Sequence, residues 1–233
     1  MKKMLLAASL MINVLLIATG IMAVEKAGGW RYLRYRIENR GLAATYAHRV
    51  DIFQMLPKTQ SAIVFLGNSL TAQNEWAEMF GRPDILNRGI PGDHAGGMLE
   101  RLGEISRHKP SKIFLMAGIN DLCFHSPEVV VGKCQNLVEA ILHEMPSTRL
   151  YIQSVLPVNN DVVKTPVKNE GIIFVNDKMR AYARSKGLIF IDLYPLFLDK
   201  KGNLDAVYTL DGVHINGAAY LKWKAAIETY VLE

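Results

Sequence analysis

The chain has 233 residues, half of them hydrophobic, which suits one domain with a sizeable core plus an appendage. Its formal charge of +5 sits in residues 1–60, where nine Lys/Arg face three acids, and the rest is near neutral. A nucleic-acid binder carries its basic face on the folded domain, so that class is set aside. Two cysteines, Cys123 and Cys134, make no disulfide framework and have no metal-ligand company.

Lys2 and Lys3 precede an uncharged run of 21 residues, Met4 to Val24. That length crosses a bilayer at about 20 residues per helix. It exceeds the usual signal-peptide core of about 7–15 residues. Residues 1–24 therefore read as a hydrophobic helix, either a signal anchor or a signal peptide cleaved near Ala18-Thr19-Gly20. Residues 25–60 read as a basic helical linker. Within it, Trp30, Tyr32 and Tyr35 among Arg31, Arg34 and Arg36 form either an interfacial belt or a plain amphipathic connector. The expected location is membrane-anchored or exported, with sidedness open.

Residues 61–233 form the expected catalytic domain. Apolar runs predict strands at 62–67, 84–88, 112–117, 149–155 and 188–192, and helices at 71–80, 96–108, 127–144, 170–186 and 216–232. Each link between strands is long enough for a crossover helix. The expected fold is an α/β/α sandwich around a five-stranded parallel sheet. Runs that are apolar throughout suit strands covered on both faces. Strand order 2-1-3-4-5 gathers the turns after strands one, two and three at one sheet edge, where ligands bind in open α/β folds.

Those turns carry the chemistry-bearing residues. Ala62-Ile63-Val64-Phe65-Leu66-Gly67-Asn68-Ser69 is a buried strand running into a serine at a helix start. The hydroxyl there suits a nucleophile, and it equally suits an N-cap. Asn87-Arg88-Gly89 and Gly118-Ile119-Asn120-Asp121 close the next two strands. A glycine N–H and an asparagine amide are both donors that an oxyanion hole can use. Near the other end, Asp211-Gly212-Val213-His214 places a carboxylate three residues before an imidazole. At that spacing the carboxylate reaches the near ring nitrogen and leaves the other free to act as a base. Pro91-Gly92-Asp93-His94 borders the pocket, and residues 158–168 read as a lid or a surface loop.

Four blocks, Gly67-Asn68-Ser69-Leu70, Asn87-Arg88-Gly89, Gly118-Ile119-Asn120-Asp121 and Asp211-Gly212-Val213-His214, resemble the SGNH or GDSL-type esterase/lipase superfamily, in its order. One departure is visible: Asn68 stands where that family most often has Asp. The resemblance implies the SGNH hydrolase fold, with Ser69 as nucleophile, His214 as general base and Asp211 as its orienter. It implies an oxyanion hole from Ser69, Gly89 and Asn120, and no metal or organic cofactor. The set Tyr194-Pro195, Asp211 to Asn216, and Tyr220 with Trp223 is similar to the bacterial branch near platelet-activating-factor acetylhydrolase-like and carbohydrate acetylesterases. This implies a serine ester hydrolase removing short acyl groups, acetyl foremost, from a carbohydrate or lipid ester. The alternatives are an O-acyltransferase with the same residues and a catalytically silent, membrane-tethered glycan-binding module.

Overall fold

The computed structural model describes residues 2–26, 40–162 and 165–233. They fall into two compact units, Met1–Ala43 and Ala44–Glu233. The first contains helix α1 (Lys2–Lys26). The span expected over residues 4–24 finds no support: among the described residues no helix is long and apolar enough to cross a membrane. Side chains are described there only over 9–24. The aromatic and arginine belt of residues 30–36 lies outside the described residues.

The second unit includes part of the segment expected as a helical linker. Helix α2 (Arg40–Met55) reaches into it. The Tyr46 hydroxyl donates to Gly97 O at 2.8 Å, and Phe53 is buried. Arg107 donates to the carbonyls of Phe53, Gln54 and Leu56 and so caps the end of α2.

Five parallel strands follow, in the expected order: β1 (Ile63–Gly67), β2 (Ile85–Gly89), β3 (Lys112–Leu115), β4 (Arg149–Gln153) and β5 (Ile189–Ile191), arranged β2-β1-β3-β4-β5. Successive side chains point to opposite faces. On one face Val64, Leu66, Ile113, Leu115, Leu150 and Ile152 pack against the helices α5 (Ala95–Glu100), α8 (Pro127–Glu144) and α9 (Asn169–Ser185). On the other, Ile63, Phe65, Phe114 and Tyr151 meet α10 (Gly217–Leu232) through Tyr220, Trp223, Ile227 and Val231. Aromatic rings stack across this second face. Phe65 lies 4.2 Å from Trp76 and 5.0 Å from Phe114, and Phe114 lies 4.7 Å from Tyr151.

Two expected helices are interrupted. The segment 71–80 becomes α3 (Ser69–Ala72) and α4 (Trp76–Phe80). Asn87 is the cause. Its Nδ2 lies 3.0, 3.3 and 2.8 Å from the carbonyls of Thr71, Ala72 and Asn74, so a β2 side chain satisfies the acceptors that a longer helix would use. The segment 96–108 becomes α5 and α6 (Leu102–Ser106), divided at Arg101.

Candidate active site

Ser69 opens α3 at the carboxyl end of β1 and is partly buried. Asn68, not Ser69, is the N-cap: its Oδ1 accepts the Leu70 N–H at 3.0 Å. The serine hydroxyl is thereby left for other work. The Tyr220 hydroxyl of α10 donates to Leu70 O at 2.7 Å and fastens this corner to the last helix.

His214 and Asp211 arrive on the loop before α10. A bridge between Thr209 and Ile215 closes that loop, and the Gly212 N–H donates to Thr209 Oγ1 at 2.8 Å. Asp211 Oδ1 accepts the N–H groups of Val213 at 2.9 Å and His214 at 2.7 Å. Its Oδ2 stands 2.6 Å from His214 Nδ1, and His214 Nε2 stands 2.9 Å from Ser69 Oγ. A carboxylate only accepts, so Nδ1 carries the proton and Nε2 offers its lone pair to the serine hydroxyl. Burial alone would raise the Asp211 carboxyl. The hydrogen bonds from the His214 ring and from the Val213 and His214 N–H groups outweigh it and bring the pKa down to about 2. The two side chains are open to water, His214 at 35% and Asp211 at 52% exposure.

The turn that follows β2 is tied to the end of β1, Ile90 N donating to Gly67 O at 3.1 Å. Here the structure corrects the expected role of Gly89. Gly89 is the last residue of β2, paired in register with Gly67. Its N–H is taken by Asn87 Oδ1 at 2.9 Å, so it is no free donor. A Cβ on Gly89 would lie 2.2 Å from Ala72 N, so the residue is glycine to admit α3. The free N–H belongs to Gly92. Asp93 N donates to Ile90 O at 3.1 Å, closing a turn over Ile90-Pro91-Gly92-Asp93 with Gly92 at φ +78°. Pro then Gly at these two positions is the preference of a type II turn. Among the described residues the N–H groups of Gly92 and Ser69 have no acceptor. The Pro91-Gly92 dipeptide was the sequence signal for this turn.

Asn120 lies in α7 (Ile119–Leu122), after β3. Its Nδ2 donates to Asp93 O at 2.7 Å, which sets the carboxamide beside the Gly92 turn with a second amide hydrogen to spare. Asp121 ties the same region together: its Oδ2 accepts the Ala95 N–H at 3.1 Å. His94 caps α5 by accepting the Gly97 N–H at 3.0 Å. Burial pushes the Cys123 thiol up to about 11, far from thiolate chemistry. Residues 158–161 are sewn to the histidine loop: Asn159 N donates to Gly212 O at 2.8 Å.

A serine hydroxyl on an oriented imidazole is a constellation for acyl transfer. The profile of the GDSL-like lipase/acylhydrolase family matches residues 65–222. Platelet-activating factor acetylhydrolase IB subunit alpha1 of Homo sapiens is 28% identical over 177 residues, covering 73% of this chain and 75% of that relative. Among solved structures, a GDSL-like lipase from Bacteroides thetaiotaomicron superposes with a TM-score of 0.67 at 22% identity, covering 81% of this chain and 97% of that one. A lipase/acylhydrolase from Enterococcus faecalis superposes at 0.62 and 21% identity, covering 74% and 95%. The chain belongs to the GDSL-like lipase/acylhydrolase family, whose members are ester hydrolases.

Proposed function

We propose that Ser69 attacks the carbonyl carbon of an ester while His214 Nε2 takes the hydroxyl proton, giving an acyl-enzyme. His214 returns that proton to the leaving alcohol, then activates the water that releases the acid. Asp211 holds the imidazole in its Nδ1–H tautomer and stabilises the imidazolium. The tetrahedral oxyanion is held by the N–H groups of Ser69 and Gly92 and the Asn120 amide; Gly92 replaces Gly89 in this role. The relay of 2.6 Å and 2.9 Å contacts from Asp211 through His214 to Ser69 carries this reading.

The acyl group is short, acetyl foremost, on a carbohydrate or lipid alcohol. Support comes from the relatives named as acetylhydrolases. Export of the catalytic unit, as a secreted or membrane-held enzyme, rests on the sequence of residues 1–24 alone. Sequencing the N-terminus of native material tests it.

The central test is Ser69→Ala with nitrophenyl acetate, butyrate and octanoate and with acetylated sugars. Turnover should fall by about 10⁶ with the fold intact. A fluorophosphonate probe should label Ser69 alone. Labelling elsewhere, or full turnover in the variant, would refute the triad. Transfer of the acyl group to an added sugar in preference to water would favour the acyltransferase.

A further inference from the structure

The turn that presents Gly92 is held from below by a buried ion pair that the reaction itself does not use. Asp93 Oδ2 receives Arg101 Nε at 2.9 Å and Nη2 at 2.8 Å. Both side chains are at most 2% exposed. The same Nη2 donates to Arg88 O at 2.8 Å and lies 3.3 Å from Gly67 O. Gly67 ends β1 two residues before Ser69, and Arg88 stands in β2 four residues before Gly92. Asp93 Oδ1 accepts the His94 N–H at 2.9 Å, and its backbone carbonyl accepts Asn120 Nδ2 at 2.7 Å. One guanidinium thus joins the strand that carries the nucleophile, the strand before the turn, and the turn itself. Through Asp93 it reaches Asn120.

Stability is a poor reason for such a pair. A buried ion pair loses hydration on both sides, and well-packed apolar residues of the same volume often serve as well or better. Here the lost hydration is not fully replaced, because Arg101 Nη1 is buried with no hydrogen-bond partner among the described residues. What the pair supplies is geometry. A planar fork with fixed directions can hold a carboxylate and two carbonyls at set angles, which a lysine ammonium cannot. Oxyanion donors need that fixity, since they act by being in place before the charge develops.

We infer that Arg101 is a positioning residue, setting the Gly92 turn and the Asn120 amide relative to Ser69 through Asp93. The inference rests on the Ser69 reading above. A second buried pair in the same domain provides the control. Arg88 Nε lies 3.1 Å from Glu104, and His108 Nε2 lies 3.1 Å from the same carboxylate. The His108 Nδ1 accepts the Thr59 N–H at 3.0 Å, so this network faces α2 and the chain that follows it.

The test compares Arg101→Lys, Arg101→Ala and the near-isosteric Asp93→Asn with Glu104→Gln on nitrophenyl acetate. Each rate is referred to the folded fraction read by circular dichroism, so loss of fold does not register as loss of rate. In the Arg101 and Asp93 variants kcat should fall by about 10²-fold while KM barely moves. Fluorophosphonate labelling of Ser69 should slow by the same factor, because the phosphoryl oxygen uses the same donors. Added guanidinium ion should restore part of kcat to Arg101→Ala. Glu104→Gln should melt earlier with kcat unchanged. Wild-type kcat per folded chain in both Arg101→Lys and Asp93→Asn would overturn the inference. So would an equal kcat loss in Glu104→Gln, or a loss expressed mainly in KM. A wild-type chain that neither turns over esters nor labels at Ser69 would instead refute the parent reading, and this inference with it.

Discussion

Two carboxylates are tied to the Ser69 corner, one through His214 and one through Arg101 and Gly67, and they live in opposite surroundings. Asp211 is about half exposed and, through the hydrogen bonds it accepts, stays ionised down to about pH 2. Asp93 is sealed inside, and burial pushes its carboxyl up against the pull of Arg101. Each faces a nitrogen cation or a group that becomes one. An imidazole can take up a proton and give it back, whereas a guanidinium keeps its charge. In the proposed mechanism the first pair lets a proton move, with solvent at hand to supply the hydrolytic water. The second keeps its charges constant and can only hold atoms still. The same contact, carboxylate to N–H, serves motion or fixity according to whether its partner titrates.

The comparison predicts a graded series. Asp211→Asn leaves the loop shape nearly intact but favours the wrong imidazole tautomer, so kcat on nitrophenyl acetate should fall by about 10⁴. Wild-type turnover in that variant would erase the distinction between the two carboxylates. Asn120→Ala removes one oxyanion donor, and a loss of about 10²–10³ in kcat is expected with little change in KM. A large rise in KM with kcat preserved would assign Asn120 to substrate binding instead.

Acid stability sharpens the contrast further. The folded Asp211 carboxyl titrates near 2 against an ordinary value of 3.8, so its contribution to stability is complete above pH 3.8. It is lost as the pH falls through about 2. The melting difference between wild type and Asp211→Asn should vanish over that interval. A difference that persists at the acid end would show that the carboxylate is not stabilised by its hydrogen bonds.

The smallest catalytic effect is expected at the opposite edge of the sheet. Lys112 Nζ, at the start of β3, donates to the carbonyls of Tyr230 at 2.8 Å and Val231 at 3.2 Å. Lys112→Met leaves those acceptors without their donor, costing about 1–3 kcal/mol of stability in chemical denaturation. The rate per folded chain should not change.

Much of this was legible from the residues. The five strands announced themselves as apolar runs, and the observed bounds lie within two residues of the expected ones. The relay from Asp211 to His214 was legible because it is local, a single turn three residues long. The Gly89 assignment failed for a nearby reason. The strand reading stopped at residue 88, but pairing with Gly67 carries β2 one residue further, so the turn falls at Pro91-Gly92. Broken helices at 71–80 were not legible, since Asn87 captures their carbonyls from another strand. The Arg101–Asp93 pair was hidden as well: two charges eight residues apart say nothing of burial. The helix expected within residues 25–60 is present as α2, but its anchoring by Arg107, some fifty residues on, was not legible from local sequence.

Ser69 and His214 are separated by 145 residues, and the helix after His214 is what clamps the two together. That helix, α10, supplies the Tyr220 hydroxyl to Leu70 and the Trp223 indole N–H to Gln153 Oε1, and receives Lys112 at its far end. In the proposed mechanism, Ser69 has a base only while this one helix is docked, so local loosening of α10 would silence the site without unfolding the sheet.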